Sequence, residues 1–301
     1  RLVALKVPQE SRLRSTEDTN RFVSEARAAA KLKHPGLVAV YDVQEWEDRV
    51  FLVQEYIDGL HLGDWAKHTQ PGNVEIVRIF VLIAETIGSA HQEGFTHCDL
   101  KLANVLVDRD GQPHVADFGL AVHESARFLR RGERFGTPSS MAPEQVRGEG
   151  HRLDGRTDIW ALGVMFYELL TRHRPFDSPI QNDLFDQILS HHPKPPRQWD
   201  RKIPRELERI CLKCLAKRSV DRYSTAEDFR EDLLVWLESS PAGTVGLSSS
   251  DATQPESSST DLLASSRSGS SRSKPPIKVV PKGLRSFDDG DADFFLDLLP
   301  G

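Results

Sequence analysis

Residues 94–108 read GFTHCDLKLANVLVD, and the reading of the whole chain turns on them. Asp99 stands two residues before Lys101, and Asn104 follows three residues later. A carboxylate can accept a proton from a hydroxyl group. An ammonium can neutralise negative charge on a group in transfer, and an amide oxygen is a hard ligand for a divalent cation. A second element, HVADFGLAV over 114–122, puts Asp117 after a short strand-like run, with Gly119 in place to let the backbone turn sharply. Either aspartate alone is an ordinary loop acid, and the joint spacing is what carries weight.

The surrounding chain is of ordinary globular composition. Its 301 residues are 38% hydrophobic and 28% charged, with a formal net charge of −6 and a pI near 6.0. That balance gives no reason to expect nucleic acid or an anionic membrane as the main partner. No apolar run is long enough to span a bilayer. The cysteines Cys98, Cys211 and Cys214 are too few for a disulfide framework and fit a reducing, cytoplasmic setting. Cys211 and Cys214 form a C-x-x-C inside PRELERICLKCLAK, whose helical period points to two buried thiols rather than half of a zinc site.

Composition divides the chain near residue 239. Before it, strand signals come first (LVALKV at 2–7, LVAVYDV, VFLVQEYI). Helical signals are found at 15–34, where HPG marks a stop, and in NVEIVRIFVLIAETIGSAHQEG, with Val77, Phe80, Val81, Ala84 and Ile87 on one face. Further helices are expected at about 156–172, 181–190, 204–216 and 224–238. Strands first and helices later, with no βαβ alternation, predict an α+β fold: a small antiparallel-sheet lobe at about 1–57 and a larger helical lobe at about 58–238. Residues 239–276 are Ser-rich with Pro, Gly and Thr, the composition of a flexible linker. Residues 277–301 alternate apolar and acidic residues.

In the same order, the motifs resemble those of the eukaryotic-like Ser/Thr protein kinases, in a bacterial style. VALK supplies Lys6, and RFVSEARAAAKLKHPGLV supplies Glu25. HCDLKLAN gives Asp99, Lys101 and Asn104; DFG gives Asp117; APE ends on Glu144; DIWALG begins at Asp158; RSVDRYS carries Arg222. The resemblance covers residues 1–238 and implies an enzyme that transfers the γ-phosphate of ATP, with Mg2+, to protein hydroxyls. It implies Asp99 as base, Lys101 at the γ-phosphate, and Asn104 and Asp117 as metal ligands. Lys6, held by Glu25, would contact the nucleotide phosphates. Gln54 takes the gatekeeper position, with Glu55 to Ile57 as the hinge to adenine. Glu144 and Arg222 would form a buried pair, and Asp158 would accept backbone N–H groups of the catalytic loop. Thr137, in GTP (136–138), would bridge Asp99 and Lys101, a Ser/Thr-type pattern. The alternative is a kinase-like scaffold without catalysis; retention of the lysine and both aspartates favours the enzyme.

The sequence also departs from the pattern. Cys98 replaces the arginine usual before the catalytic aspartate, which in the family docks a phosphate on the activation loop. From Ala126 to Gly136 there is no Ser, Thr or Tyr. The two together predict a kinase independent of phosphorylation on that loop; redox sensing by Cys98, set in a polar loop, is the other reading of the cysteine. Leu102 stands where proline is usual. Only five residues precede Lys6, so the glycine-rich hairpin is expected to have been cut away. Residues 277–301 resemble the lead-in to a STAND-type NTPase module, with an acidic solvated tail as the other reading.

Overall fold

The computed structural model describes residues 2–7, 16–46, 49–118, 122–123, 132 and 136–240. The Ser-rich segment beyond Ser240 and the acidic C-terminal segment lie outside the described residues.

The first lobe is a three-stranded antiparallel sheet with one helix. Strands β1 (Val3–Lys6), β2 (Val40–Trp46) and β3 (Arg49–Glu55) are ordered β1-β3-β2, with Lys6 opposite Leu52 and Ala4 opposite Gln54. Helix α1 (Thr16–Ala29) buries Val23 and Ala26 against Val43, Val50 and Leu52 of β2 and β3. The helix ends before the expected stop. Next to Pro35, residue 34 is steered away from helical backbone, and His34 instead accepts the Gly36 N–H on Nδ1 at 3.1 Å.

The chain then enters a helical body. Helix α2 (Leu62–Thr69) follows the short strand β4 (Gly59–His61), and α3 (Asn73–Gln92) runs through the centre. The stripe Val77, Phe80, Val81, Ala84 and Ile87 is buried as expected, but so are Ile76, Ile79, Ile83 and Ala90. The helix is covered on several sides because α5 (Gly155–Thr171), α8 (Ala226–Ser239) and β7 (Pro113–Val115) all pack on it. Helices α6 (Gln181–Ser190) and α7 (Arg205–Cys214) complete the body, after a one-turn α4 (Pro143–Val146). The four late helices lie within a few residues of the ranges read from periodicity. Trp160, Phe166 and Tyr167 on α5 are fully buried; Phe166 packs against Phe229 of α8, which meets Tyr223, and Trp160 stacks on Phe176.

Cys211 and Cys214 belong to this packing. Both thiols are fully buried, and burial raises the pKa of each. A Cβ on Gly163 would come within 2.5 Å of the Cys214 Cβ, so the glycine is what lets α5 and α7 approach. Helix α8 starts with a capping box: Thr225 Oγ1 accepts the Asp228 N–H at 3.0 Å, and Asp228 accepts the Thr225 N–H at 2.9 Å, an arrangement that contributes about 1 kcal/mol.

Two features carry the sheet lobe to the site. Gly36 sits against Thr86 of α3 so closely that a Cβ would fall 2.1 Å from its Oγ1. The same stretch clamps β7: the Val115 N–H donates to Gly36 O at 2.7 Å and the Val38 N–H to Val115 O at 2.9 Å. Strand β7 is the one that leads into Asp117. It pairs with β6 (Val105–Asp108), which pairs with β4, and β5 (Phe95–Thr96) pairs with β8 (Val122–His123).

Candidate active site

Asp99 lies on the loop between β5 and a single turn of 3-10 helix at Leu102–Asn104. The loop is held from beneath by one carboxylate. Asp158, in the first turn of α5 and 1% exposed, accepts the N–H groups of His97 at 2.7 Å and Cys98 at 2.9 Å, and contacts His91 Nε2 at 2.8 Å. The supporting role read for Asp158 from sequence is met in full. These bonds hold Cys98 at φ +63°, a left-handed conformation that costs a non-glycine residue about 1–2 kcal/mol. A second brace acts on the other side of the same residue: Gln145 donates its Nε2 to Cys98 O at 2.7 Å, while its Oε1 accepts the Ala142 N–H at 2.9 Å. Cys98 lies in the polar loop that suggested redox sensing, but the residue is 4% exposed, so its thiol is shielded from solvent.

The Asp99 carboxylate is shared between two partners. Lys101 Nζ donates to Oδ2 at 2.9 Å; Thr137 donates both its N–H and its Oγ1–H to Oδ1, each at 2.7 Å. Lys101 also donates to Thr137 Oγ1 at 2.7 Å, closing a triangle of carboxylate, ammonium and hydroxyl. Burial works against the ionised carboxyl, but the Lys101 ammonium and the Thr137 hydroxyl outweigh it and hold Asp99 below the ordinary carboxylate pKa. Gly136, at φ +106°, brings Thr137 in; a Cβ there would lie 3.0 Å from Cys98 O and 3.2 Å from Gln145 Nε2.

Asn104 and Asp117 are set by backbone links. Asn104 Nδ2 donates to Asp99 O at 2.8 Å, and Asn104 O accepts the Ala116 N–H at 2.8 Å. His97 Nε2 meets Ala116 O at 2.9 Å, and its ring packs 4.6 Å from Phe118. Asp117 therefore follows a residue fixed at both its N–H and its C=O, and it adopts φ +69°.

Lys6 reaches across from β1 and pairs with Asp117. The sequence led us to expect Glu25 as its partner; Glu25 lies on α1, but its side chain is outside the described residues. Both members of the Lys6–Asp117 pair are about one-third exposed, so water screens the attraction. At the end of β3, half-buried Gln54 sits opposite both Ala4 and Val40. The Glu55 N–H donates to Ala39 O at 2.8 Å, and its carboxylate accepts the Ala39 N–H at 3.4 Å, which ties Glu55 to the approach to β2. Ile57 follows, half-buried, in the connection to β4.

The segment after Thr137 is anchored by the buried pair expected from sequence. Arg222 meets Glu144 bidentately at 2.8 and 2.9 Å, with side-chain exposures of 0% and 7%. The remaining polar capacity is used: Arg222 donates to Ala216 O and Arg156 O, and Thr157 Oγ1 donates to Glu144 at 3.0 Å. A cleft of about 200 Å3 opens beside Lys101 and Thr137, walled by Ser139, Ser140, Glu168 and Arg174. Sequence reading did not pick out His91, His97 or Gln145. Their types are unremarkable at those positions, and only the fold gives them partners.

A small antiparallel sheet over a helical body, a lysine reaching from the sheet to one aspartate and a second aspartate locked to a lysine and a threonine below, define the two-lobed protein kinases as a class. A family model described as "Protein kinase domain" matches residues 1–234, and the chain belongs to that family. It is 33% identical over 235 residues to the serine/threonine-protein kinase PrkC of Bacillus subtilis, covering 77% of this chain and 36% of that protein. It is 35% identical over 246 residues to the serine/threonine-protein kinase pkn3 of Myxococcus xanthus, covering 77% of this chain and 45% of that one. Against the serine/threonine-protein kinase PknB of Mycobacterium leprae the identity is 35% over 241 residues, covering 77% and 38%. The chain thus spans less than half the length of each of these relatives. Among the described residues, no helix is long and apolar enough to cross a membrane.

Proposed function

We propose that this chain is the catalytic domain of a protein kinase that transfers the γ-phosphoryl group of ATP to Ser or Thr hydroxyls of proteins. The observation that carries the reading is the triangle of Asp99, Lys101 and Thr137, in which a carboxylate already accepts the hydroxyl proton of a threonine beside an ammonium. A substrate hydroxyl approaching from the cleft beside Thr137 would meet the same carboxylate, which is ionised at neutral pH and can take the proton. Lys101 then neutralises charge on the phosphoryl group in flight. Such a transfer needs alignment and charge compensation more than covalent help.

Asn104 and Asp117 fit a magnesium ion of the kind held partly by substrate phosphates. Among the described residues no cluster of three His, Cys, Asp or Glu side chains could form a protein cage, and Mg2+ commonly takes one or two carboxylates plus phosphate oxygens and water. With its Nδ2 spent on Asp99 O, Asn104 has its amide oxygen to offer. When bound, the metal would neutralise the β- and γ-phosphates. Lys6, supported by Glu25 in the family pattern, would hold the other phosphate oxygens, with Gln54 and the backbone of Glu55 to Ile57 along the adenine. We assign residues 1–238 to the catalytic unit and 239–276 to a tether. The use of ATP and the three free thiols support a cytoplasmic setting.

The test is transfer of label from γ-labelled ATP to a protein acceptor, with phosphoamino-acid analysis. Asp99→Asn and Lys6→Met are each expected to lower the rate by about 10²–10⁴, and the label is expected on Ser and Thr. Variants that match the parent rate, or label confined to Tyr, would reject the reading.

A further inference from the structure

A second cleft, of about 470 Å3, lies on the far side of the Glu144–Arg222 pair, between the segment from α4 to the start of α5 and the 217–220 turn. Its wall is crowded with ionised groups, and the carboxylates in it are already taken. Glu144 is held by Arg222, Glu149 pairs with Arg152 at 3.2 Å, and Asp154 is gripped by Arg156 at 2.6 Å. Among the described residues that leaves Arg147 and Arg218 on the cleft wall without a wall carboxylate paired to them, beside Lys217, whose ammonium meets backbone carbonyls; Arg218 has a 3.9 Å contact to exposed Asp221. Lys217 lines the cleft, and its ammonium is turned to the end of α6, donating to Gln187 O and Ile188 O, 4.0 Å from the centre of the Phe176 ring. It registers the surplus of positive charge: burial first, then Arg222 and Arg147, bring its pKa down from 10.5 to about 8.

We propose that this cleft binds a phosphoryl group carried on a serine or threonine side chain of a protein segment. The leftover cations come from two separate chain segments and meet in one hollow, which suits a compact dianion better than charge spread along a chain. A phosphoryl group concentrates nearly two charges and three acceptor oxygens at one point. Guanidinium forks such as those of Arg147 and Arg218 match that geometry. Carboxylates on successive residues of an extended acidic segment point to opposite sides of the chain, so such a segment brings less charge to one point than a phosphoryl group does. The Ser219 hydroxyl on the wall adds a donor, and Val220, 60% exposed, offers the flanking chain an apolar contact. The site is apart from the Asp99 triangle, and its occupancy does not depend on catalysis.

The test is calorimetric titration of the full 301-residue chain, at low salt, with a short Gly/Ser peptide bearing one phosphoserine. The same peptide unphosphorylated, the same peptide with Asp in place of phosphoserine, and inorganic phosphate are titrated beside it. The phosphopeptide is expected to bind and the unphosphorylated peptide not to, with inorganic phosphate competing. Arg147→Glu with Arg218→Glu is expected to weaken binding by at least about tenfold, the loss of charge-assisted hydrogen bonds, and the milder Arg147→Gln with Arg218→Gln to weaken it less. Thermal unfolding checks that each variant is folded, and the Gln pair decides if the Glu pair is not. Equal binding of phosphorylated and plain peptides, equal binding of the Asp peptide, or unchanged affinity in the folded variants would each overturn the proposal.

Discussion

Replacing Arg222 by Leu tests how far the buried pair holds the segment after Thr137. In the parent, the guanidinium is fully enclosed and makes two bonds to Glu144 and further ones to Ala216 O and Arg156 O. Leucine fills part of the volume but leaves the Glu144 carboxylate, 7% exposed, with the Thr157 hydroxyl as its remaining side-chain hydrogen bond among the described residues. Breaking such a pair from one side costs about 3–5 kcal/mol. For a domain of this size that corresponds to a fall of roughly 6–20 °C in melting temperature. Glu144→Leu should cost a similar amount, because it strands the guanidinium. The double replacement should cost clearly less than the two single losses together, since no buried charge is left alone. A double-mutant cycle by urea unfolding, with melting curves beside it, gives the coupling directly. Activity should follow, because Glu144 is adjacent to Gln145, whose amide braces Cys98 O next to Asp99. If Arg222→Leu unfolds within about 1 kcal/mol of the parent, or the two single changes simply add, the pair is not what anchors this segment.

Thr137→Ala removes the hydroxyl that both Asp99 and Lys101 contact but keeps the backbone N–H bond to Asp99; it should lower kcat/KM by about 10–100-fold, the worth of a hydrogen bond to a charged group, and Thr137→Ser should restore most of it. An unaltered rate for the alanine variant counts against the triangle as the working arrangement. The folded-state pKa of Lys217, about 8 against 10.5 when free, means that the unfolded chain binds more protons between those values, so this residue adds stability as pH rises through the window. Urea midpoints of Lys217→Met should therefore lack the part of the rise between about pH 8 and 10.5 that the parent shows, and parallel profiles would refute the assignment. Phosphatase treatment should leave activity unchanged, because residues 126–136 hold no Ser, Thr or Tyr; a large loss mapped to Ser125, Ser139 or Ser140 would reject phosphorylation-independent action.

Long helices and charged motifs were legible in the sequence because each rests on a repeating or multi-residue signal. Helices α5 to α8 show a sustained 3.6-residue period, and Asp99, Lys101, Asn104 and Asp117 stand at fixed offsets. The short strands β4, β5, β6 and β8 were not legible: runs of two to four residues have no period to detect, and they exist because neighbouring loops pair with them. Helix α3 was read as amphipathic and is buried on more sides than a stripe would allow. Its Ile76, Ile79 and Ile83 look like ordinary helix residues until α5, α8 and β7 are seen around it. Partner choice was the least legible property. The motif pattern offers Lys6 the carboxylate of Glu25, and among the described side chains the fold pairs it with Asp117.

Position 98 explains why a cysteine can stand where the family pattern has arginine. The backbone of that residue is held on both sides: its N–H is taken by Asp158, its C=O by Gln145, and its φ is +63° just before Asp99, which meets Lys101 and Thr137. A residue held at both peptide groups can change its side chain without moving its neighbour, provided the new side chain fits a site 4% exposed. What the replacement removes, on the family pattern, is the arginine that precedes Asp99 in sequence. Positive charge is instead in surplus around Arg147, Lys217 and Arg218, behind the pair that anchors Glu144. Gln145, next to Glu144 on α4, is the hydrogen-bonded link from that segment to Cys98 O.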